Sequence, residues 1–314
     1  MGYRKSQGHI KMKKAIISGG TGLIGSHLVT ELNTLGYTID IISRNKPREP
    51  YFYPKGVEKY IYYEDFLFGK NVIIDDYDIA INLAGATIAG KKWTEDYKKI
   101  IISSRVDTTR AFAELIVGSN NPPKVFISAS AVGYYGDAGN LLLTEDIPEG
   151  EGFLAEVCKS WETEAKATSE TTRTVIARIG VVLSSRGGAL EKLAMPYRYF
   201  LGGPIGSGEQ WISWIHIRDL MSMFLFVIDN EECTGTFNFT APEPVKMNDF
   251  SEDLGDVLYR PSFFKLPNAA LKFMLGESSE MLLASQRAVS KAALDKGFIF
   301  KFPELKPALK DLLR

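Results

Sequence analysis

From residue 15 onward, short runs of aliphatic and β-branched residues alternate with longer stretches in which apolar side chains return every three or four positions. Runs of the first kind suit strands buried on both faces, and stretches of the second kind suit amphipathic helices. Their alternation predicts βαβ units around a parallel sheet. Strands are predicted over residues 15–18, 38–43, 58–63, 79–83, 124–128 and 174–179. Helices are predicted between them on spacings such as Ile24, Leu28 and Leu32, or Ala111, Leu115 and Ile116. The intervening lengths suit right-handed crossovers. Past Val182 the alternation loosens into glycine-rich and aromatic loops, with a short strand over 236–239 and helices around 248–259, 268–275 and 281–293. The pattern therefore predicts an α/β domain over residues 12–182 and a smaller C-terminal α+β domain over 183–314, the two interleaved. No internal repeat or low-complexity segment interrupts it.

The first predicted strand runs directly into Ser18-Gly19-Gly20-Thr21-Gly22-Leu23-Ile24-Gly25, which opens the first helix. Glycines at 19, 22 and 25 in that context permit a tight turn, a close backbone approach to a diphosphate, and packing of helix on strand, while helix N–H groups face the anion. Such a motif carries weight only with a strand before it, a helix after it and a second strand following, and all three are predicted here. The fold class is accordingly a Rossmann doubly wound parallel sheet with a dinucleotide on Gly19, Thr21, Gly22, Leu23, Ile24 and Gly25. The second strand ends in Ser43-Arg44-Asn45-Lys46, a hydroxyl followed by cations. Ser43 and Arg44 suit the 2′-phosphate of NADP, whereas an acidic residue there would clamp the ribose diol of NAD. NADP is favoured over NAD. Asp40, three residues early, is the NAD-favouring alternative, and a solvent-facing Arg44 the bland one.

Composition narrows the partners. With 37 Lys+Arg against 38 Asp+Glu the formal net charge is -1, so no global positive field gathers nucleic acid or anionic membrane. No apolar run reaches membrane-spanning length, and residues 1–11 are polar with no signal-peptide core. Met12 looks like a native start, so residues 1–11 are set aside as an added segment, and cytoplasm is the expected location. Cys158 and Cys233 lack CxxC spacing or a His/Cys cluster, and no metal site is expected. They are read as buried or inert thiols. The expected partner is a small-molecule substrate; a homo-oligomer is compatible with this reading.

Asn82-Leu83-Ala84-Gly85 at the end of the fourth strand and Ser128-Ala129-Ser130 at the end of the fifth extend the pattern. So do Trp93-Thr94, Ser104-Arg105, Gly133-Tyr134-Tyr135-Gly136, Phe153-Leu154-Ala155-Glu156-Val157-Cys158, Gly202-Gly203-Pro204, Gly206-Ser207-Gly208, Trp214-Ile215-His216 and Leu282-Leu283-Ala284. With these the chain resembles the extended short-chain dehydrogenase/reductase superfamily, and within it the nucleoside-diphosphate-sugar epimerase-like proteins. The resemblance runs from Met12 nearly to the C-terminus. It implies an NADP-binding Rossmann domain, with Asn82, Leu83, Ala84 and Gly85 along the cofactor, and a C-terminal substrate domain.

In that superfamily a Ser or Thr, a Tyr and a Lys in a YxxxK helix move the proton while the nicotinamide takes or gives hydride. Ser130 matches the first position and Lys159 the last, where it would also bind ribose, but Ala155 stands at the tyrosine position. Three readings follow. Tyr134 or Tyr135 supplies the acid; or Ser130, water or the substrate relays the proton; or turnover is lost and the chain is a non-catalytic NADPH-binding regulator. Lys159 could equally be a surface lysine pairing with Glu156 or Glu162. The loop 202–211 is expected to cover substrate, and His216 to be structural. The leading expectation is an NADP(H)-dependent oxidoreductase or epimerase-like enzyme acting on a small hydroxyl, carbonyl or sugar-nucleotide substrate.

Overall fold

Seven parallel strands form one sheet: β1 (Lys13–Ser18), β2 (Tyr37–Ser43), β3 (Val57–Tyr62), β4 (Ile79–Asn82), β5 (Val125–Ala131), β6 (Arg173–Ile179) and β7 (Gly235–Phe239). Their spatial order is β7-β6-β5-β4-β1-β2-β3. The structure, a computed structural model, describes residues 13–45, 54–70, 72–89 and 91–314. The start at Met12 and the side chain of Lys46 lie outside the described residues.

Successive side chains of β1 point to opposite faces, and each face has its own apolar layer. Ile17 joins Leu28, Val29 and Leu32 of the helix Leu23–Thr34 and Leu220, Met223 and Phe224 of the helix Ile217–Asp229. Ile16 packs on the other side with Phe66, Phe112, Ile116 and Phe126. Strands covered on both sides lack a polar face, which is why they read as continuous apolar runs. The helix Glu95–Val117 in this second layer begins at Thr94, whose hydroxyl accepts from the Tyr97 N–H over 3.2 Å, with Glu95 and Asp96 in the first turn. Cap and acidic turn satisfy a free amide and oppose the positive helix end.

Strand order reverses between β1 and β4, and the glycine loop lies at that switch point, above the carboxyl ends of both strands. The strand read over 236–239 is β7, the edge of this same sheet, anchored by buried Phe237 and Phe239. A third apolar cluster centres on Trp214, with Leu190, Ala194 and Tyr197 of the helix Ala189–Arg198, Phe250 and Leu254 of Met247–Leu258, and Leu309 of Leu305–Leu313.

One predicted helix is corrected. Residues 281–293 form a short helix, Glu280–Leu283, then a two-residue strand, Arg287–Ala288, and a second helix, Lys291–Asp295. Tertiary pairing overrides the helical spacing: Arg287 and Ala288 pair with Leu142 and Leu143, and the Ser285 hydroxyl donates to the Gly139 carbonyl over 2.6 Å.

Candidate functional site

The turn after β1 is built around two glycines that tolerate no side chain. Gly19 has φ +73°, and a Cβ there would lie 2.7 Å from the Leu83 carbonyl oxygen. At Gly25 a Cβ would sit 2.2 Å from the Gly19 oxygen. Gly22 differs: its amide donates to the Gly19 carbonyl over 3.0 Å, and a Cβ would meet only that oxygen, at 3.3 Å. Gly22 and Thr21 are exposed, Leu23 and Ile24 half-buried, and Gly25 buried. The helix Leu23–Thr34 has no side-chain cap and no acidic residue in its first turn, so its N-terminal amides and positive dipole end stay available to an anion.

Gly188 belongs to a loop above this turn; a Cβ on it would lie 2.8 Å from Leu23 Cδ2. Two residues earlier is the exposed Arg186, which the sequence reading passed over. A cation in a glycine-rich loop far along the chain carries no local sign that it returns to the first helix.

At the end of β2, Ser43 uses its hydroxyl locally, donating to the Asn45 carbonyl over 2.7 Å, and Arg44 is exposed. Asp40 is buried, accepts a hydrogen bond from the Tyr77 hydroxyl over 2.7 Å, and has its pKa raised by burial. It therefore faces the core, away from a ribose site. Asn82 is also inside: it accepts from Ser18 over 2.5 Å and donates to Thr109 over 2.7 Å. Its side chain locks β1, β4 and the helix Glu95–Val117 together. The half-buried Leu83 and Ala84 and the exposed Gly85 follow it at the cleft edge.

Arg105 was quoted only as part of a motif, yet its guanidinium covers Gly85, where a Cβ would lie 2.8 Å from Cζ. It donates to the Ile101 carbonyl over 3.0 Å and lies 5.2 Å from the Trp161 ring centroid. Burial lowers its pKa from the ordinary value.

Glu162, Arg178 and Glu149 link the four expected catalytic residues. Ser130 is buried and donates to Glu162 Oε1 over 2.8 Å. Glu162 also receives Nε and Nη2 of the buried Arg178, at 2.8 and 2.9 Å. Burial works against the Arg178 charge, but Glu162 outweighs it and holds the guanidinium pKa above its usual value. Tyr135 is 2% exposed; its hydroxyl donates to Asn238 over 2.7 Å and accepts from Arg178 over 2.9 Å. Burial pushes its pKa up to about 12. Tyr135 is thus a strut between β5, β6 and β7.

Tyr134 has the Arg178 guanidinium over its ring, 3.4 Å from the centroid, and donates to Glu149 Oε2 over 3.2 Å. Lys159 is exposed and pairs with Glu149 Oε1, a partner that is neither Glu156 nor Glu162. That hydrogen bond brings the Glu149 carboxyl down to about 2. Ala155 is 1% exposed, so the helix turns residue 155 inward and Lys159 outward. Between them in the chain lies Cys158, whose buried thiol is pushed up to about 11 by burial, as an inert thiol should be.

His216 is buried. Its Nδ1 accepts from the Arg218 amide over 3.0 Å, capping the helix Ile217–Asp229. Asp219 accepts from the backbone of Lys301 and Phe302. Among the described residues no cluster of metal-ligating side chains occurs, and no helix is long and apolar enough to cross a membrane.

A family model described as the NAD dependent epimerase/dehydratase family matches residues 15–239, and one described as a domain of unknown function (DUF1731) matches 266–312. The chain is similar to epimerase family protein SA0724 of Staphylococcus aureus strain N315, with 38% identity over 309 residues, 96% of this chain and 100% of the relative. It is also similar to the crystal structure of human epimerase family protein SDR39U1 (isoform 2) with NADPH. There the TM-score is 0.86 at 33% identity, covering 95% of this chain and 98% of that one. The nucleoside-diphosphate sugar epimerase of Corynebacterium glutamicum matches with a TM-score of 0.76 and 31% identity, over 96% of this chain and 58% of that one.

Proposed function

The chain belongs to the NAD dependent epimerase/dehydratase family, and on that premise we propose that it binds NADP(H) and exchanges hydride with a small hydroxyl or carbonyl substrate, sugar nucleotides included. The observation that carries this reading is the pairing of an uncapped helix N-terminus at Gly22 with the exposed Arg44 at the end of β2, while Asp40 is occupied inside. Helix amides take the diphosphate and Arg44 the 2′-phosphate. The fit is tested by the glycines: Gly19 and Gly25, where a Cβ would be driven into backbone, shape the turn, and the exposed Gly22 faces outward. Human SDR39U1, solved with NADPH, supports the same cofactor here.

NADP(H) when bound supplies or accepts the hydride; the chain's own residues manage the proton. With Tyr135 spent on Arg178 and Asn238, Tyr134 is the phenol of choice. Burial raises its pKa, so it keeps its proton at neutral pH and suits donation to a carbonyl oxygen during reduction. Glu149 joins its hydroxyl to Lys159, which returns the lysine to the proton path by one intervening carboxylate. Ser130, held by Glu162, keeps the floor of the cleft in place.

A second reading, a non-catalytic NADPH-binding regulator, is favoured by the exposed Lys159 and by Ala155 at the usual phenol position. NADPH oxidation over a panel of carbonyl substrates separates the two. Parent turnover that Tyr134→Phe lowers at least tenfold and Tyr135→Phe lowers only through stability supports the enzyme with Tyr134 as acid. Turnover untouched by Tyr134→Phe rejects that assignment, and cofactor binding without turnover on any panel member favours the regulator.

A further inference from the structure

Two segments far apart in the chain, residues 192–201 and 259–275, carry half of the large hydrophobic side chains that stand exposed among the described residues. Tyr199, Phe200 and Leu201 belong to the first, and Phe263, Phe273 and Met274 to the second. The same segments hold five cations, Lys192, Arg198, Arg260, Lys265 and Lys272, and neither segment contains an Asp or a Glu. Two of the cations have neutral partners: the Arg260 guanidinium carbon lies 4.5 Å from the Phe200 ring centroid, and Lys265 donates to the Ser207 carbonyl over 2.7 Å. Asp253 and Asp256, on the helix Met247–Leu258, hold Lys306, and Glu209 holds Lys246. A chain of net charge -1 thus has one face that is apolar and cationic together.

The fold brings the two segments side by side. The Phe264 amide donates to the Gly202 carbonyl and the Leu266 amide to the Pro204 carbonyl, each over 3.0 Å. Between them lies a cavity of about 390 Å³ with Leu193, Leu201, Phe250 and Leu266 in its walls, and its charged members are Lys192 and Lys265. The helix Asn268–Leu275 runs on from this strap and buries Leu271 alone. Among the described residues, Phe200 and Tyr259 are the two besides glycine with positive φ, +61° and +55°, and both are exposed. A bulky residue in the left-handed region costs energy that an exposed ring does not recover by packing inside its own chain. Contiguous apolar surface of this kind marks a place of contact.

We propose that this face docks the protein on the surface of an anionic lipid bilayer, its rings entering the headgroup layer and its cations meeting lipid phosphates. Charge complementarity selects that occupant. A two-fold contact with a second copy would set the same five cations against one another, with no carboxylate from these segments to relieve them. An anionic bilayer supplies negative charge and apolar depth at one surface. No helix among the described residues is long and apolar enough to cross the bilayer, so the contact is peripheral. It is independent of the cofactor and of the proton path.

The test is flotation of the full chain with vesicles of phosphatidylcholine alone and of phosphatidylcholine mixed with phosphatidylglycerol. The parent is expected to float with the phosphatidylglycerol vesicles, at least about tenfold more strongly than with phosphatidylcholine, and to be released as salt rises. Phe263→Ser with Phe273→Ser, and separately Arg198→Glu with Lys272→Glu, should each weaken flotation about tenfold or more, by removing two rings or reversing two charges. All four positions are exposed, so both double variants should melt near the parent temperature. Lys99→Glu with Lys124→Glu makes the same change of net charge outside the two segments and should float like the parent. A parent that does not float with the anionic vesicles overturns the proposal, as does a loss that the Lys99 and Lys124 control shares. A dimer seen by analytical ultracentrifugation and abolished by Phe263→Ser with Phe273→Ser, without flotation of the parent, overturns it in favour of a second copy.

Discussion

The Ser130 hydroxyl donates a hydrogen bond to Glu162 over 2.8 Å, and the same carboxylate is gripped by the buried Arg178. The residue matched to the superfamily's proton-moving serine is therefore the last link of an internal ion pair. Removing one partner from such a pair strands a buried charge, at a cost of about 3–5 kcal/mol. Glu162→Ala should lower the midpoint of urea unfolding by that amount of stability, whereas Ser130→Ala, which leaves the pair intact, should cost about 1 kcal/mol. Equal midpoints for Glu162→Ala and the parent would show that Glu162 and Arg178 are not paired in solution.

The two kinds of glycine in the first turn separate folding from binding. Gly25→Ala drives a methyl into backbone 2.2 Å away and should destabilise the chain itself. Gly22→Val meets only the Gly19 oxygen, with its Cβ at 3.3 Å, so the apo protein should melt much closer to the parent temperature than Gly25→Ala does while the side chain fills the diphosphate position. Thermal melting with and without saturating NADPH checks both, the expected result for Gly22→Val being a normal apo midpoint with no ligand shift. A full ligand shift in Gly22→Val places the diphosphate elsewhere.

This turn was legible in the sequence because backbone sterics dictate residue type there, and its context was a strand and a helix of clear period. The parallel sheet was legible for the same reason: strands covered on both sides leave uninterrupted apolar runs, as Ile79, Ala80 and Ile81 do. What sequence could not supply was pairing at a distance. Helical spacing places Lys159 four residues after Ala155 but does not say which face meets the cleft, and Glu149, from the preceding loop, captures the ammonium. Asn82 matched a motif, yet only the approach of Ser18 and Thr109 decides that its amide is turned inward. The break in residues 281–293 depends on Leu142 and Leu143, far away in the chain.

His216 should leave a signature in the pH dependence of stability. Burial between Phe302, stacked at 3.9 Å, and the core lowers its pKa from 6.5 to about 4, although Asp311 Oδ2 lies 3.3 Å from Nε2. Between those values the unfolded chain binds the proton and the folded chain does not, so stability falls as pH drops from 6.5 towards 4 and levels below. The full contribution, present above pH 6.5, is on the order of 3 kcal/mol. His216→Asn keeps a capping acceptor for the Arg218 amide and should flatten that part of the curve relative to the parent. Parallel curves from pH 6.5 to 4 would mean that His216 titrates normally in the folded protein.

Cofactor selectivity tests the central claim most directly. Titration calorimetry of the parent and of Arg44→Ala with NADPH and with NADH compares one phosphate group and one guanidinium in four measurements. A charged hydrogen bond is worth about 1.5–3 kcal/mol, so the parent should bind NADPH at least about tenfold more tightly than NADH, and Arg44→Ala should bring the two affinities together by weakening NADPH alone. Equal affinities for NADPH and NADH in the parent would contradict the account.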